Sequence, residues 1–455
     1  MEQIYFSERV YLKSGWARDV KIVVHDGVIK ELEVGAKLEQ GWVFISGPIV
    51  PAMANLHSHA FQRVMAGMTE VCLDPEDSFW SWRDLMYKIV SRLSPDQARI
   101  IATQLYIDML KAGYTQVAEF HYLHHDVNGA RYENLAEMAS QLSEAAKIAG
   151  LGLTLLPTLY TYSGFAERKH ENAQRRFINT TDDYLRLHRI CSSLISDNAL
   201  NEIGIAFHSL RAVAEPQIHE IISALDDQIP IHIHIAEQQK EVSDCLQWSD
   251  QRPVQWLYNH VDVDSRWCLV HATHLSHQEI NTIAASRAVV GLCPSTEANL
   301  GDGIFPAVDY VAQAGVWGIG SDSHMSLSIV DELRTLEYSQ RLRDQKRNRL
   351  HNTSDKSVGD FLFKQARLGG NRASGVKLGL ELGSRADFLV LDDEHPFICS
   401  SNDEDILNRW LFACNENLVK HVYVAGQAVV ENFRHSFETK SRNEFSRVVK
   451  ALLNS

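Results

Sequence analysis

His57 and His59 are separated by one residue, and in an extended strand two such side chains project from the same face. Two ligands of one ion need that arrangement. His234, His271 and Asp322 recur downstream, each at the end of a short apolar run. Three imidazoles and one carboxylate suit a divalent ion of borderline softness, zinc first and iron (Fe2+) next. His57, His59, His234 and Asp322 are the expected ligands. His271 is either a further nitrogen on the metal or a group that orients the attacking water, with Asp322 sharing that task. Glu237 follows His234 by three residues in HIHIAEQ, so it can sit beside an ion without binding it and take a proton from water. Its competing role is a favourable charge at the start of the next helix. Any one of these histidines alone reads as a satisfied core or rim residue, and His232, one layer deeper, is read that way. Four such groups at equivalent strand ends point to a metal site.

The elements that must position them are visible as alternation. Apolar, β-branched runs occur at 49–59, 115–122, 153–160, 203–210, 230–237, 267–274, 288–295 and 316–323. Helical patterns lie between them, as in PDQARIIATQLYIDMLKAG, where apolar residues recur at three and four and Gly113 closes the end. Runs buried on both faces and separated by helices imply a parallel sheet with right-handed crossovers. Eight in series closes a TIM-type (β/α)8 barrel, whose functional rim is the C-terminal ends of its strands; a doubly wound open sheet is the competing architecture. Residues 3–35 contain VKIVVHDGVIKELEV, two alternating strands about Asp-Gly, and residues 386–432 repeat that style about Ala-Gly. The expected organisation is a small β-domain from both chain ends, 1–50 and 379–455 with a terminal helix, around a barrel at 51–378. The stretch 60–94 shows no clear periodicity and is expected to be a long loop and candidate lid, packed by Trp80 and Trp82.

Composition excludes other classes. Hydrophobic residues make up 45% and charged residues 22%, the balance of an ordinary globular protein. Lys and Arg number 44 against 58 Asp and Glu, a net charge of −14, so no nucleic-acid or anionic-membrane partner is expected. No apolar run approaches the ~20 residues that span a bilayer, and no basic segment followed by an apolar core opens the sequence. The seven cysteines are scattered and form no C-x-x-C pair, which argues for a reducing, cytoplasmic setting.

The motifs N-L-H-S-H (55–59), H-I-A-E (234–237), V-H-A (270–272) and G-S-D-S (320–323) resemble the amidohydrolase superfamily. The segments PAMANLHSHAFQRVMAGMTE, EFHYLHHD, FHSLRAV, HIHIAEQQKEV and SDSHMSLSIVDELRTLEYSQRLRDQKRN are similar to its iminohydrolase branch acting on a formimino-glutamate in histidine degradation. Ala52 and Ala54 depart from the Gly and Pro of that pattern without touching a ligand. The resemblance implies hydrolytic release of ammonia at a linear amidine carbon. Members with two ions carry a bridging lysine or glutamate near the fourth strand, where this chain has Phe207-His208-Ser209, so one ion is expected. Guanidinium groups bind carboxylates bidentately, so Arg83 and Arg211 are expected to hold a substrate with two carboxylates. By resemblance Gln62, Tyr122 and His208 also touch it, in a chain expected to form a homodimer. Two alternatives stay open: a deaminase of a ring substrate at the same metal site, and a barrel that binds a partner without catalysis.

Overall fold

A computed structural model describes residues 2–71 and 79–453; Cys72 and the side chain of Trp80 fall outside the described set. Eight parallel strands form the central sheet: β1 Met53–Ser58, β2 Tyr114–His121, β3 Gly152–Leu159, β4 Ile205–Ser209, β5 Ile231–Ile235, β6 Trp267–His271, β7 Val289–Leu292 and β8 Val316–Ile319. Each pairs with the next in chain order. The ring is completed between β1 and the end of β8: Asp322 N–H donates to His57 O (3.0 Å) and His59 N–H to Asp322 O (3.3 Å). That closure removes the open-sheet alternative. The strands are buried on both faces because helices cover the outside and side chains fill the inside, which is why they read as continuous apolar runs.

The helices obey local signals. Pro95–Lys111 begins with Pro at its first position behind a reciprocal cap, in which Ser94 accepts from Gln97 N–H and Gln97 accepts from Ser94 N–H. Val358–Ala373 lies close against β8, where a Cβ at Gly369 would stand 1.9 Å from Trp317 O. Only glycine permits that approach.

The stretch 60–94 is not the irregular loop expected from its sequence. It holds a 3-10 segment at Ala60–Met65 and a helix at Phe79–Val90. In that helix Trp82, Met86, Ile89 and Val90 form the buried stripe, a helical spacing obscured by the aromatic run before it.

The chain ends form the second sheet, in the order Arg434–His435, Gln427–Glu431, Val419–Val424, Phe388–Leu391, Ile49–Pro51, Glu2–Leu12, Gly15–His25, Val28–Val34. The two halves meet where Ile49–Pro51 runs antiparallel to Phe388–Val390. Asp26-Gly27 and Ala425-Gly426 form the hairpin turns, with φ of 50°, 77°, 48° and 76°, the left-handed pair that matches strand twist. Glu2–Leu12 is a further strand, paired with Gly15–His25 along almost its whole length.

Arg385 joins this sheet to the barrel floor. It donates to Thr115 O and Leu200 O and forks onto both oxygens of Asp387, itself fully buried. Removing one partner of a buried pair strands the other charge. Arg385→Met is expected to lower unfolding stability by about 3–5 kcal/mol in a urea titration; an unchanged midpoint would show that the joint contributes nothing.

Candidate active site

At the C-terminal rim six side chains converge. His57, His59, His234, Glu237, His271 and Asp322 are all buried. His57 Nε2 is 3.0 Å from His234 Nε2 and 3.4 Å from Asp322 Oδ1, and His59 Nε2 is also 3.4 Å from that oxygen. His271 Nε2 lies 3.8 Å from Asp322 Oδ2 and 3.9 Å from Glu237 Oε1.

The backbone departs from regular strand to achieve this. Between Asn55 and Ser58, β1 carries one residue more than the facing part of β2. Leu56 therefore packs in the interior with Cys268 and Val270 while its neighbour His57 also faces inside, against the His234 ring. A second bulge between Phe207 and Ser209 turns His208 over the cleft. Ala236, His271, Ala272 and Asp322 hold φ of 51°, 67°, 47° and 42°, a region costly for residues with a Cβ. Val270 faces the interior, so plain alternation would send His271 outward; the left-handed turn brings it back.

The tautomers are fixed from behind. Nδ1 of His59 donates to Phe120 O and Nδ1 of His234 to His208 O, each at 2.9 Å, which leaves both Nε2 lone pairs facing the centre. Burial pushes the His57 imidazole down to about 3, and burial together with neighbouring imidazoles holds His234 well below its ordinary value. Burial would raise Asp322, but hydrogen bonding to His57 and the surrounding imidazoles hold its carboxyl well below the usual range. His59 and His234 thus present lone pairs to the Asp322 carboxylate, with His57 Nε2 between them, so electron-pair donors crowd one point. A cation satisfies that set, so the residues fit a divalent ion.

Glu237 and His271 differ from these. Burial pushes the Glu237 carboxyl up to about 7, against His271 and Arg211. For His271 burial acts downward, but Glu237, the Glu297 hydrogen bond and Asp322 raise it to about 10. A carboxyl that titrates near neutrality beside a protonated imidazole is equipped to accept a proton and return it.

Above this centre opens a cleft of about 700 Å³, counting its open mouth, lined by Gln62, Arg83, Tyr122, His208 and Arg211 and by the converging groups. Gln62 Nε2 donates to Tyr122 Oη at 3.2 Å. Arg211 lies within the field of Glu241 and Glu237, and its Nε has no partner among the described residues.

Residues 49–429 match the model of the amidohydrolase family, and residues 2–41 match the model of the N-terminal domain of formimidoylglutamate deiminase HutF. The chain belongs to the amidohydrolase family. This amidohydrolase is 53% identical over 452 residues to a formimidoylglutamate deiminase of Pseudomonas aeruginosa, covering 99% of both chains. It is 24% identical over 430 residues to a 5-methylthioadenosine/S-adenosylhomocysteine deaminase of Thermodesulfovibrio yellowstonii, covering 91% of this chain and 90% of that one. The crystal structure of an amidohydrolase from Brucella melitensis superposes with a TM-score of 0.95 at 45% identity, over 99% of this chain and all of that one (100%).

Every residue the sequence singled out for this site lies at the amidohydrolase's cleft, with His57 just beneath its floor. His232 is core, its Nε2 on Ala373 O, and His124 and His125 bind the carbonyls of Thr158 and Ile178. Trp82 does more than pack the loop, since it also lines the cleft. Sequence reasoning passed over Tyr87, Tyr160 and Ser163, which line it too. It also passed over two buried acids. Glu241 accepts from Ala236 and Glu237 N–H, and Glu297 accepts from His271 Nδ1 and Cys293 N–H. Glu241 stands four residues after Glu237, where it reads as a helix-start charge, and only tertiary structure shows its second task.

The acceptor set generates a metal prediction. Protein reconstituted with zinc should hold one equivalent by elemental analysis, and His59→Ala or His234→Ala should lose it. Full retention by both variants would place the ion elsewhere.

Proposed function

We propose that this amidohydrolase hydrolyses N-formimino-L-glutamate to N-formyl-L-glutamate and ammonia, a step of histidine degradation, with His57, His59, His234 and Asp322 holding one zinc ion. The 53% identity to a deiminase of that name along 99% of both chains is the observation that carries the reading. The match of residues 2–41 to the N-terminal domain of the same enzyme supports it independently of the barrel. When bound, the ion supplies Lewis acidity that brings the pKa of a water toward neutrality.

The chain's own residues do the rest. Glu237 takes a proton from the attacking water as its oxygen bonds to the formimino carbon. Asp322 and His271 orient that water, and His271 donates from Nε2 toward the charge that develops. Glu237 then returns its proton to the departing nitrogen and carries the remaining O–H proton of the tetrahedral carbon to it as well; the C–N bond breaks as the C=O forms, and ammonia leaves an N-formyl group behind. Atoms balance as one water in and one ammonia out. Arg83 and Arg211 hold the two carboxylates, and Gln62, Tyr122 and His208 bound the reacting end.

The ring-deaminase reading has one feature in its favour, the aromatic lining of Trp82, Tyr87, Tyr122, Tyr160 and Phe177. Two guanidiniums in the same cleft argue against it, because they match carboxylates and a neutral ring offers none. The six described cysteines are all unpaired, which supports a cytoplasmic setting.

Two substitutions test the roles. Glu237→Gln preserves size and removes the basic site, so kcat should fall by ~10²–10⁴ with metal content unchanged; loss of metal would make Glu237 a ligand. Arg211→Met should lower kcat/KM for formimino-L-glutamate by roughly 30- to 4000-fold, the equivalent of ~2–5 kcal/mol for an unpaired buried charge. Ammonia release indistinguishable from wild type would put the carboxylate elsewhere.

A further inference from the structure

Gln174 lies in the turn Asn172–Gln174 that follows β3, buried and outside the cleft's own lining. Its amide orientation is fixed by chemistry. Glu171 N–H, which can only donate, lies 2.8 Å from Gln174 Oε1. The NH2 group must therefore point the other way, where Nε2 is 2.8 Å from Tyr160 Oη and 3.5 Å from Tyr87 Oη. Each phenol oxygen thus receives a hydrogen and keeps its own O–H to give. Among the described residues neither phenol donates to a protein acceptor.

Both phenols line the cleft, Tyr160 from the end of β3 and Tyr87 from the helix Phe79–Val90. The Arg83 guanidinium sits 5.6 Å from the Tyr87 ring centroid. Arg211 and Arg83 both act on the Tyr160 phenol, opposing the upward push of its burial. The wall is therefore made of donors, two guanidiniums and two O–H groups, and an anion with several acceptor oxygens is the ligand such a wall takes.

We infer that Gln174 is a positioning residue for substrate selectivity: by donating to Tyr160 and Tyr87 it turns both phenol O–H groups into the cleft, where they join Arg83 and Arg211 in holding a substrate carboxylate. The inference rests on the functional reading above for the identity of that carboxylate. An amide at 174 gives this result and a carboxylate reverses it, because a Glu side chain accepts the phenol hydrogens and leaves oxygen lone pairs facing the substrate. Shape and the contact with Glu171 N–H are kept.

The test is Gln174→Glu, in wild type and in a Tyr87→Phe/Tyr160→Phe background, with steady-state turnover of formimino-L-glutamate and calorimetric binding of L-glutamate. In wild type KM should rise about 10- to 100-fold, as expected for hydrogen bonds to a charged group. The affinity for L-glutamate should fall in parallel, with kcat changed far less and metal content and thermal midpoint retained. In the double-Phe background the same substitution should change KM little, since the groups it acts through are gone. An unchanged KM and affinity in Gln174→Glu overturns the inference, as does an effect of full size in the double-Phe background, which would be long-range charge alone. Absence of ammonia release by wild type would overturn the functional reading instead; the glutamate titration then still decides whether Gln174 governs carboxylate binding, and wild type that binds no glutamate removes the inference too.

Discussion

The hydrogen bonds that close the barrel run through the residues that converge on its mouth. Asp322 and His57 share one, and His59 and Asp322 share the other. Backbone closure and site assembly are one event, since β8 cannot register against β1 without bringing the Asp322 carboxylate within 3.4 Å of two imidazoles. The surroundings follow from that constraint. The chain turns left-handed at Asp322, and Asn55 bridges the seam by donating to Ser321 Oγ and accepting from Ser321 N–H. Glycine is required at 320 for the same reason, because a Cβ there would stand 2.7 Å from His57 N.

Around that seam the site separates two kinds of histidine by what stands behind each ring. His59 and His234 are backed by peptide carbonyls, which fix a neutral tautomer. His271 is backed by the Glu297 carboxylate and faces two more, which favours its protonated form. Residues of one type are thus assigned to electron-pair donation or to proton donation by the acceptor at the far nitrogen. The same logic recurs at the cleft wall, where Gln174 decides which end of a phenol faces inward.

The barrel was legible in the sequence because its eight strands are buried on both faces and stand out as apolar runs between helices of regular period. The shared side of His57 and His59 was legible from their spacing. The bulge beside them was not, since an extra residue in one strand shows only against its neighbour. His271 was located by strand ends, yet alternation from Val270 points it the wrong way, and the positive φ that corrects it has no signature in Val270-His271-Ala272. Tyr87, Tyr160 and Gln174 come from three separate segments and meet only in space. The helix Phe79–Val90 was hidden by its composition, FWSW being a bulky run without an apolar–polar alternation, although Trp82, Met86, Ile89 and Val90, buried among the described side chains, keep helical spacing.

The small sheet is made from both ends of the chain, and this sets a timetable for synthesis. Glu2–Leu12, Gly15–His25 and Val28–Val34 are neighbours in sequence and can pair as soon as they leave the ribosome. Ile49–Pro51 then forms an edge whose partner, Phe388–Leu391, is made only after the whole barrel. At elongation rates of about 5–20 residues per second the wait is on the order of tens of seconds. An exposed edge invites pairing with other chains, and this one is three residues long and ends in Pro51, which has no N–H to offer. The nascent chain thus carries through translation a docking edge too short to recruit a stranger and long enough to receive its own C-terminal half.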